Sequence, residues 1–279
     1  MAIRFIALDI DGTLLDSASE MPRANLQAVE AAVKQGIEVA LVTGRRFDFA
    51  LPIALQIGCP LTMIVNNGAL VKSKSGHTYL RHLLSQETAR DVLRLMPDYR
   101  SGAAVVFDRP RENQVVYEQI EWDDPRRKAY FDRNREFISQ VSPLEDCLTE
   151  DPIQVMYSGS VEPMQQAEAA LRVASAGMPF SLAVTYYPER DFGMVDVIQP
   201  NCSKGMTLAE WTAKRGLKRE EVMAIGDNFN DREMLEFAGL PIVMANGVPE
   251  LKTQGWRETL SNDEGGVAAA IVEYALEPA

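Results

Sequence analysis

Through the first and last thirds of the chain, short apolar runs alternate with amphipathic stretches. Residues 5–8, 38–42 and 62–65 read as buried strands, separated by helical patterns over 24–34 and 47–57. Over 23–34 the apolar residues Leu26, Val29, Ala32 and Val33 recur at helical spacing, and Gly36 supplies a stop. The rhythm resumes with a helix over 204–215, a strand over 222–225, a helix over 232–237, a strand over 241–243 and a closing helix over 266–275. Alternating strand and helix predicts an α/β fold with a doubly wound, Rossmann-like parallel sheet covered on both faces.

The middle of the chain is patterned differently. A hairpin over 70–83, turning at Ser75-Gly76, leads to a helix over 86–95 and two strands, 103–107 and 114–120, around the polar turn 108–113. A helix over 126–138, a strand over 153–158, a helix over 161–174 and strands over 180–186 and 194–198 follow. Consecutive strands mixed with helices predict an antiparallel sheet with helices on one face. The expected organisation is a core of residues 1–83 and 199–279 interrupted by an inserted α+β domain, 84–198.

Composition narrows the function. At 279 residues, two compact units or one large one are expected. A formal net charge of −12 argues against a nucleic-acid partner, which is bound through clustered Lys and Arg. An anionic substrate therefore needs a local positive site built from a metal or from helix N-termini. Cys59, Cys147 and Cys202 form no C-x-x-C pair and read as reduced thiols; with only His77 and His82 besides, zinc is not expected. No charged leader and no apolar run of membrane-spanning length is present, so the chain reads as cytoplasmic.

Four polar segments fall where predicted strands end, the edge at which open parallel sheets bind ligands. Asp9-Ile10-Asp11-Gly12-Thr13 follows the first strand. Its two carboxylates can share a hard cation or divide the work of nucleophile and acid/base. Thr43-Gly44-Arg45 follows the second strand, with a hydroxyl and N–H groups suited to phosphate oxygens. Ser203-Lys204-Gly205 opens a helix with a lysine in its first turn, against the helix dipole. Gly226-Asp227-Asn228-Phe229-Asn230-Asp231 follows a late strand and fits no calcium loop. Each has an ordinary alternative: a solvated turn, an N-cap by Thr43, a surface lysine, an acidic N-cap with Asn turn residues. No single ordinary explanation covers all four.

In this order, D-I-D-G-T-L, V-T-G-R, S-K-G and G-D-N-x-N-D resemble the four motifs of the haloacid dehalogenase (HAD) superfamily, and Asn66-Asn67-Gly68-Ala69 is similar to that family's N-G-A turn. The nearest resemblance is to Cof-type phosphatases with a class IIB cap. About thirty residues separate Asp11 from Thr43 and roughly 160 separate Thr43 from Lys204, which places the cap in the second insertion position. The resemblance implies a Mg2+-dependent phosphatase acting on small phosphorylated metabolites, sugar phosphates foremost. Asp9 is then the nucleophile and a metal ligand, and Asp11 the acid/base, binding metal through its backbone carbonyl. Ile10 (through its N–H), Thr43, Gly44, Lys204 and Asn230 hold phosphate, Asp227 completes the metal site, and Asp231 supports the metal or Lys204 from behind. A phosphomutase and a catalytically silent phosphate-sensing module are the alternatives. Specificity is expected from the insert, around 186–191, 108–113 and 123–127; Arg45, Arg46, Tyr187 and Arg190 are further candidates, for which surface placement is the simpler expectation. Membrane partners are not expected.

Overall fold

In the computed structural model, which describes residues 2–124 and 127–276, the apolar run Phe5–Leu8 forms strand β1 and is buried at every position. It is followed by α1 (Arg23–Lys34), β2 (Glu38–Val42), α2 (Phe47–Gln56), β3 (Thr62–Val65), β4 (Leu70–Ser73) and β5 (Thr78–Arg81). Next come α3 (Gln86–Leu95), β6 (Ala103–Val106), β7 (Val115–Tyr117), α4 (Lys128–Asn134), β8 (Ile138–Gln140) and β9 (Gln154–Gly159). α5 (Val161–Ala174), β10 (Ser181–Tyr187) and β11 (Phe192–Ile198) complete the middle. The chain continues through α6 (Lys204–Lys214), β12 (Val222–Gly226), α7 (Arg232–Phe237), β13 (Leu240–Val243), α8 (Pro249–Lys252), β14 (Arg257–Glu258) and α9 (Gly266–Tyr274). Two compact units result: Met1–Arg81 with Cys202–Ala279, and His82–Asn201.

The first unit is an α/β fold on an eight-stranded sheet in the order β14-β13-β12-β1-β2-β3-β4-β5. Strands β14 through β3 run parallel, with β1 paired to β12 on one side and β2 on the other. The sheet is mixed rather than wholly parallel, because the hairpin β4–β5 adds two antiparallel strands at one edge. That hairpin turns at Gly76, whose φ of +86° is open to glycine. The carboxyl ends of β1, β2, β3 and β12 lie side by side, so a polar residue just past each strand reaches a common edge.

The second unit has a six-stranded sheet, β10-β11-β9-β6-β7-β8, antiparallel except where β7 pairs β8. Alternation along β9 and β11 puts Val155, Tyr157, Val195 and Val197 into a core with Val92 and Leu93 of α3 and Ala167 and Leu171 of α5. Ser85 caps α3, accepting from the Thr88 N–H at 3.1 Å. Arg100 ties the unit together through paired bonds to Glu118 and Glu145.

Two expectations in this unit change. The strand expected over 114–120 is only Val115–Tyr117. The helix expected over 126–138 is only Lys128–Asn134, and Ile138–Gln140 pairs with β7 as β8. Three residues are too short for a recognisable alternation, and the expected helix overlaps only the first of them, Ile138. Residues 125 and 126, inside the expected specificity turn 123–127, lie outside the described residues. Among the described residues no helix is long and apolar enough to cross a membrane.

Candidate active site

Asp9 is the first residue past β1, and its N–H extends the sheet ladder to the Ile225 carbonyl at 3.1 Å. The chain then turns through Gly12, at φ +79°. A Cβ there would stand 2.4 Å from Asp227 Oδ2, so only glycine lets the first loop close on the fourth. The same contact is stitched by the Thr13 hydroxyl, which donates to Asp227 Oδ1 at 2.9 Å, and by the Asn246 amide, which donates to the Gly12 carbonyl at 2.8 Å.

Lys204 is not a surface lysine. It opens α6 behind the N-cap Ser203, is 1% exposed, and its Nζ donates at 2.6 Å to both Asp9 Oδ1 and Asp231 Oδ1. The other Asp231 oxygen accepts from the backbone N–H groups of Asp227 and Asn228 at 3.0 and 3.1 Å. Asp231 is thus both the far half of a capping box and the brace of Lys204. Its oxygens are committed to these partners, in keeping with a supporting place behind the site.

On the second loop, Thr43 is buried and its hydroxyl accepts from the Arg45 N–H at 3.1 Å. It does not cap α2, which begins at Phe47 behind Arg46. Arg45, for which surface placement was the simpler expectation, grips Asp11 in a fork: Nε to Oδ2 at 2.7 Å and Nη2 to Oδ1 at 2.6 Å. Asn230 is half-buried and donates from its amide to Asn67 Oδ1 at 3.2 Å. Asn67 Oδ1 also lies where a Cβ on Gly44 would come within 2.9 Å. Asp9, Asp11, Thr43, Gly44, Lys204, Asp227, Asn230 and Asp231 therefore belong to one connected cluster, and Ile10 lies between its two first-loop acids.

The electrostatics are unbalanced. Asp9, Asp227 and Asp231 bring carboxylate oxygens within 4.8 Å of one another, against the ammonium of Lys204. Desolvation raises the Asp9 carboxyl well above its usual range, with Asp231 adding to the effect and Lys204 opposing it. Asp227 is pushed up to about 7, first by burial and then by Asp231. Burial pulls the Lys204 ammonium down, but Asp231 and Asp9 more than reverse this and leave it raised. Three carboxyl groups are gathered here against a single ammonium, and the raised Asp9 and Asp227 show how short the cluster is of positive charge. An all-oxygen donor set short of positive charge fits a hard divalent cation such as Mg2+.

In the second unit, Tyr187 closes β10, with the Arg190 guanidinium 5.9 Å from its ring centroid and Phe192 stacked at 6.5 Å. In the turn 108–113, Arg109 lies over Phe107 at 3.9 Å and pairs with Glu150. Thr13, Asn67 and Asn246 are site contacts to which the motif reading gave no role, and Arg45, named there only as a candidate expected at the surface, is a fourth. For Arg45 a signal existed, a basic residue directly after Thr43-Gly44; for Asn246 none did.

The sequence profile of the haloacid dehalogenase-like hydrolases matches residues 6–271. The chain is 28% identical to a putative phosphatase of Streptococcus pyogenes serotype M6, over 99% of this chain and all of that protein. It is 27% identical to a phosphoglycolate phosphatase of Methanothermobacter thermautotrophicus, over 98% of this chain and 99% of the relative. Among solved structures, SMU.1108c of Streptococcus mutans superposes with a TM-score of 0.82 at 19% identity, covering 98% of this chain and 99% of that one. The sugar phosphatase BT4131, described as HAD subclass IIB, superposes at 0.78 and 20% identity, covering 97% and 98%. The structural likenesses speak for the fold.

Proposed function

The chain belongs to the haloacid dehalogenase-like hydrolase family, and from that premise we propose that it is a Mg2+-dependent phosphoric monoester hydrolase acting on small phosphorylated metabolites, sugar phosphates foremost. The observation that carries this reading is the buried Asp9 carboxylate held at 2.6 Å by Lys204, with Asp227 and Asp231 gathered beside it. Phosphate monoesters resist hydrolysis so strongly that catalysis must rest on positioning and charge placement.

Asp9 attacks phosphorus as the bond to the leaving oxygen breaks, forming an aspartyl phosphate. Asp11, two residues on, gives a proton to that leaving oxygen. It then takes one from the water that attacks the acyl phosphate, which returns Asp9 and releases inorganic phosphate. Lys204 holds Asp9 in line and offers charge to a phosphate oxygen. Thr43, Gly44, Asn230 and the Ile10 N–H supply further donors around the equatorial oxygens. When bound by Asp9, Asp227 and the Asp11 carbonyl, Mg2+ supplies the charge that lets an anionic phosphate approach an anionic carboxylate. The name of the subclass IIB sugar phosphatase supports the choice of sugar phosphates; that of the phosphoglycolate phosphatase extends the panel to phosphorylated acids.

The test is release of inorganic phosphate from a panel of phosphorylated metabolites, with Mg2+ and after chelation, by the wild type and by Asp9→Asn. The expected result is Mg2+-dependent release that the variant lowers by at least about a hundredfold while remaining folded. Release unaffected by Asp9→Asn would sink the covalent mechanism.

A further inference from the structure

The turn Asn66–Gly68, just past β3, carries none of the expected chemistry, yet it touches three of the four loops that do. Its backbone reaches the second loop, where the Asn66 N–H donates to the Arg45 carbonyl at 2.9 Å and the Asn67 N–H to the Thr43 carbonyl at 3.1 Å. Its far side meets the Lys204 helix, where the Thr207 hydroxyl donates to the Gly68 carbonyl at 2.8 Å. A Cβ at Gly68 would stand 2.4 Å from the Ser203 carbonyl oxygen. Its middle residue reaches the fourth loop, accepting the Asn230 amide at Oδ1. All three residues are in the left-handed region, with φ of +51°, +53° and +105°. Two non-glycine residues in succession there persist only where surrounding contacts over-determine them, a condition that gathers at functional sites.

We infer that Asn67 is a positioning residue for phosphate, acting through Asn230. A side-chain amide has two N–H donors and one acceptor, and it can rotate and flip. By accepting one N–H of Asn230, Asn67 fixes the plane and sense of that amide, so the second N–H is held for a phosphate oxygen rather than shared among rotamers. Asn67 is itself immobilised, being 2% exposed, hydrogen-bonded at its backbone and seated against Gly44. Gly44 then has a second purpose: without a side chain it leaves room for the Asn67 oxygen beside the phosphate donors. The inference deepens the proposed function and rests on the reading of Asn230 as a phosphate contact.

The test uses the full chain with Mg2+, p-nitrophenyl phosphate as substrate and inorganic phosphate as competitive inhibitor. Asn67→Gly removes the acceptor and tolerates the left-handed backbone without strain. The constant for phosphate inhibition and the KM are expected to rise roughly three- to tenfold, with kcat changed less than about twofold, the range for losing one neutral hydrogen bond from uniform binding. In the Asn230→Ala background the same substitution should have no further effect, because its route to phosphate is gone. Asn66→Gly, in the same turn and without the Asn230 contact, should leave phosphate inhibition unchanged. Losses that multiply in the double variant, or an Asn66→Gly variant as impaired as Asn67→Gly, would overturn the inference while leaving the hydrolase reading intact. If Asn230→Ala alone leaves phosphate inhibition unchanged, the assignment of Asn230 fails and the inference falls with it.

Discussion

Replacing Asp227 with Asn should make the metal-free protein more stable, and by an amount that grows with pH. Asp227 is 9% exposed and its carboxyl is raised from 3.8 to about 7, chiefly by burial and then by Asp231. A group raised in the folded state favours folding fully below its unfolded value, and that contribution is lost as pH rises through the folded value. The window here runs from about 4 to about 7. Each unit corresponds to about 1.4 kcal/mol, so ionising Asp227 in the folded core costs about 4 kcal/mol at pH 8 and under about 2 kcal/mol at pH 5. Asn cannot ionise and preserves the shape, including an oxygen for the Thr13 hydroxyl. The assay is urea unfolding at pH 5 and pH 8 in chelator, followed by tryptophan fluorescence; Trp211 lies in the core of the first unit and the half-buried Trp256 packs against it. The variant should gain at pH 8, and Mg2+ should then stabilise the wild type more than the variant. A variant less stable than wild type at pH 8 without metal would refute the claim that the cluster carries uncompensated negative charge.

Two further outcomes follow from the same geometry. Gly12→Ala combines a φ of +79° with a Cβ at 2.4 Å from Asp227 Oδ2, so unfolding should show a loss of roughly 2–3 kcal/mol and phosphate release should fall more than tenfold. Cys202 is 1% exposed, with its thiol pushed up to about 12 by burial; it should resist a disulfide reagent at pH 8 until the core unfolds, as labelling followed by peptide mapping will show.

What could be read before folding was what is local. A strand ending in Asp9, Thr43 or Asp227 is a pattern of a few residues, and the parallel topology turns several such endings into one site. Direction was not local. Lys204 and Arg45 look alike in sequence, each a cation just inside a polar loop, but Lys204 is swallowed between Asp9 and Asp231 while Arg45 stays half-buried against Asp11. Their partners lie 195, 27 and 34 positions away, and no spacing rule reaches that far. Asn67 illustrates the same limit, because a left-handed turn residue is ordinary until its side-chain oxygen is seen to meet Asn230. Strand β8 is illegible for the opposite reason, being too brief at three residues to show a period at all.

The pairing of β1 with β12 has a consequence for how this protein is made. Leu8 lies beside Ile225, 217 positions later in the chain. At ribosomal speeds of roughly 5–20 residues per second, β1 waits roughly 10 to 40 seconds for the neighbour on its far side. Asp9 and Asp11 emerge well before Lys204 and Asp227, which face them. Until then the chain presents an apolar strand with one open edge and an Asp9 that lacks the counter-charge of Lys204, and it should be a substrate for chaperones and proteases rather than a partial enzyme. For this topology the site cannot close until β12, 217 positions after its partner β1, has been made and paired.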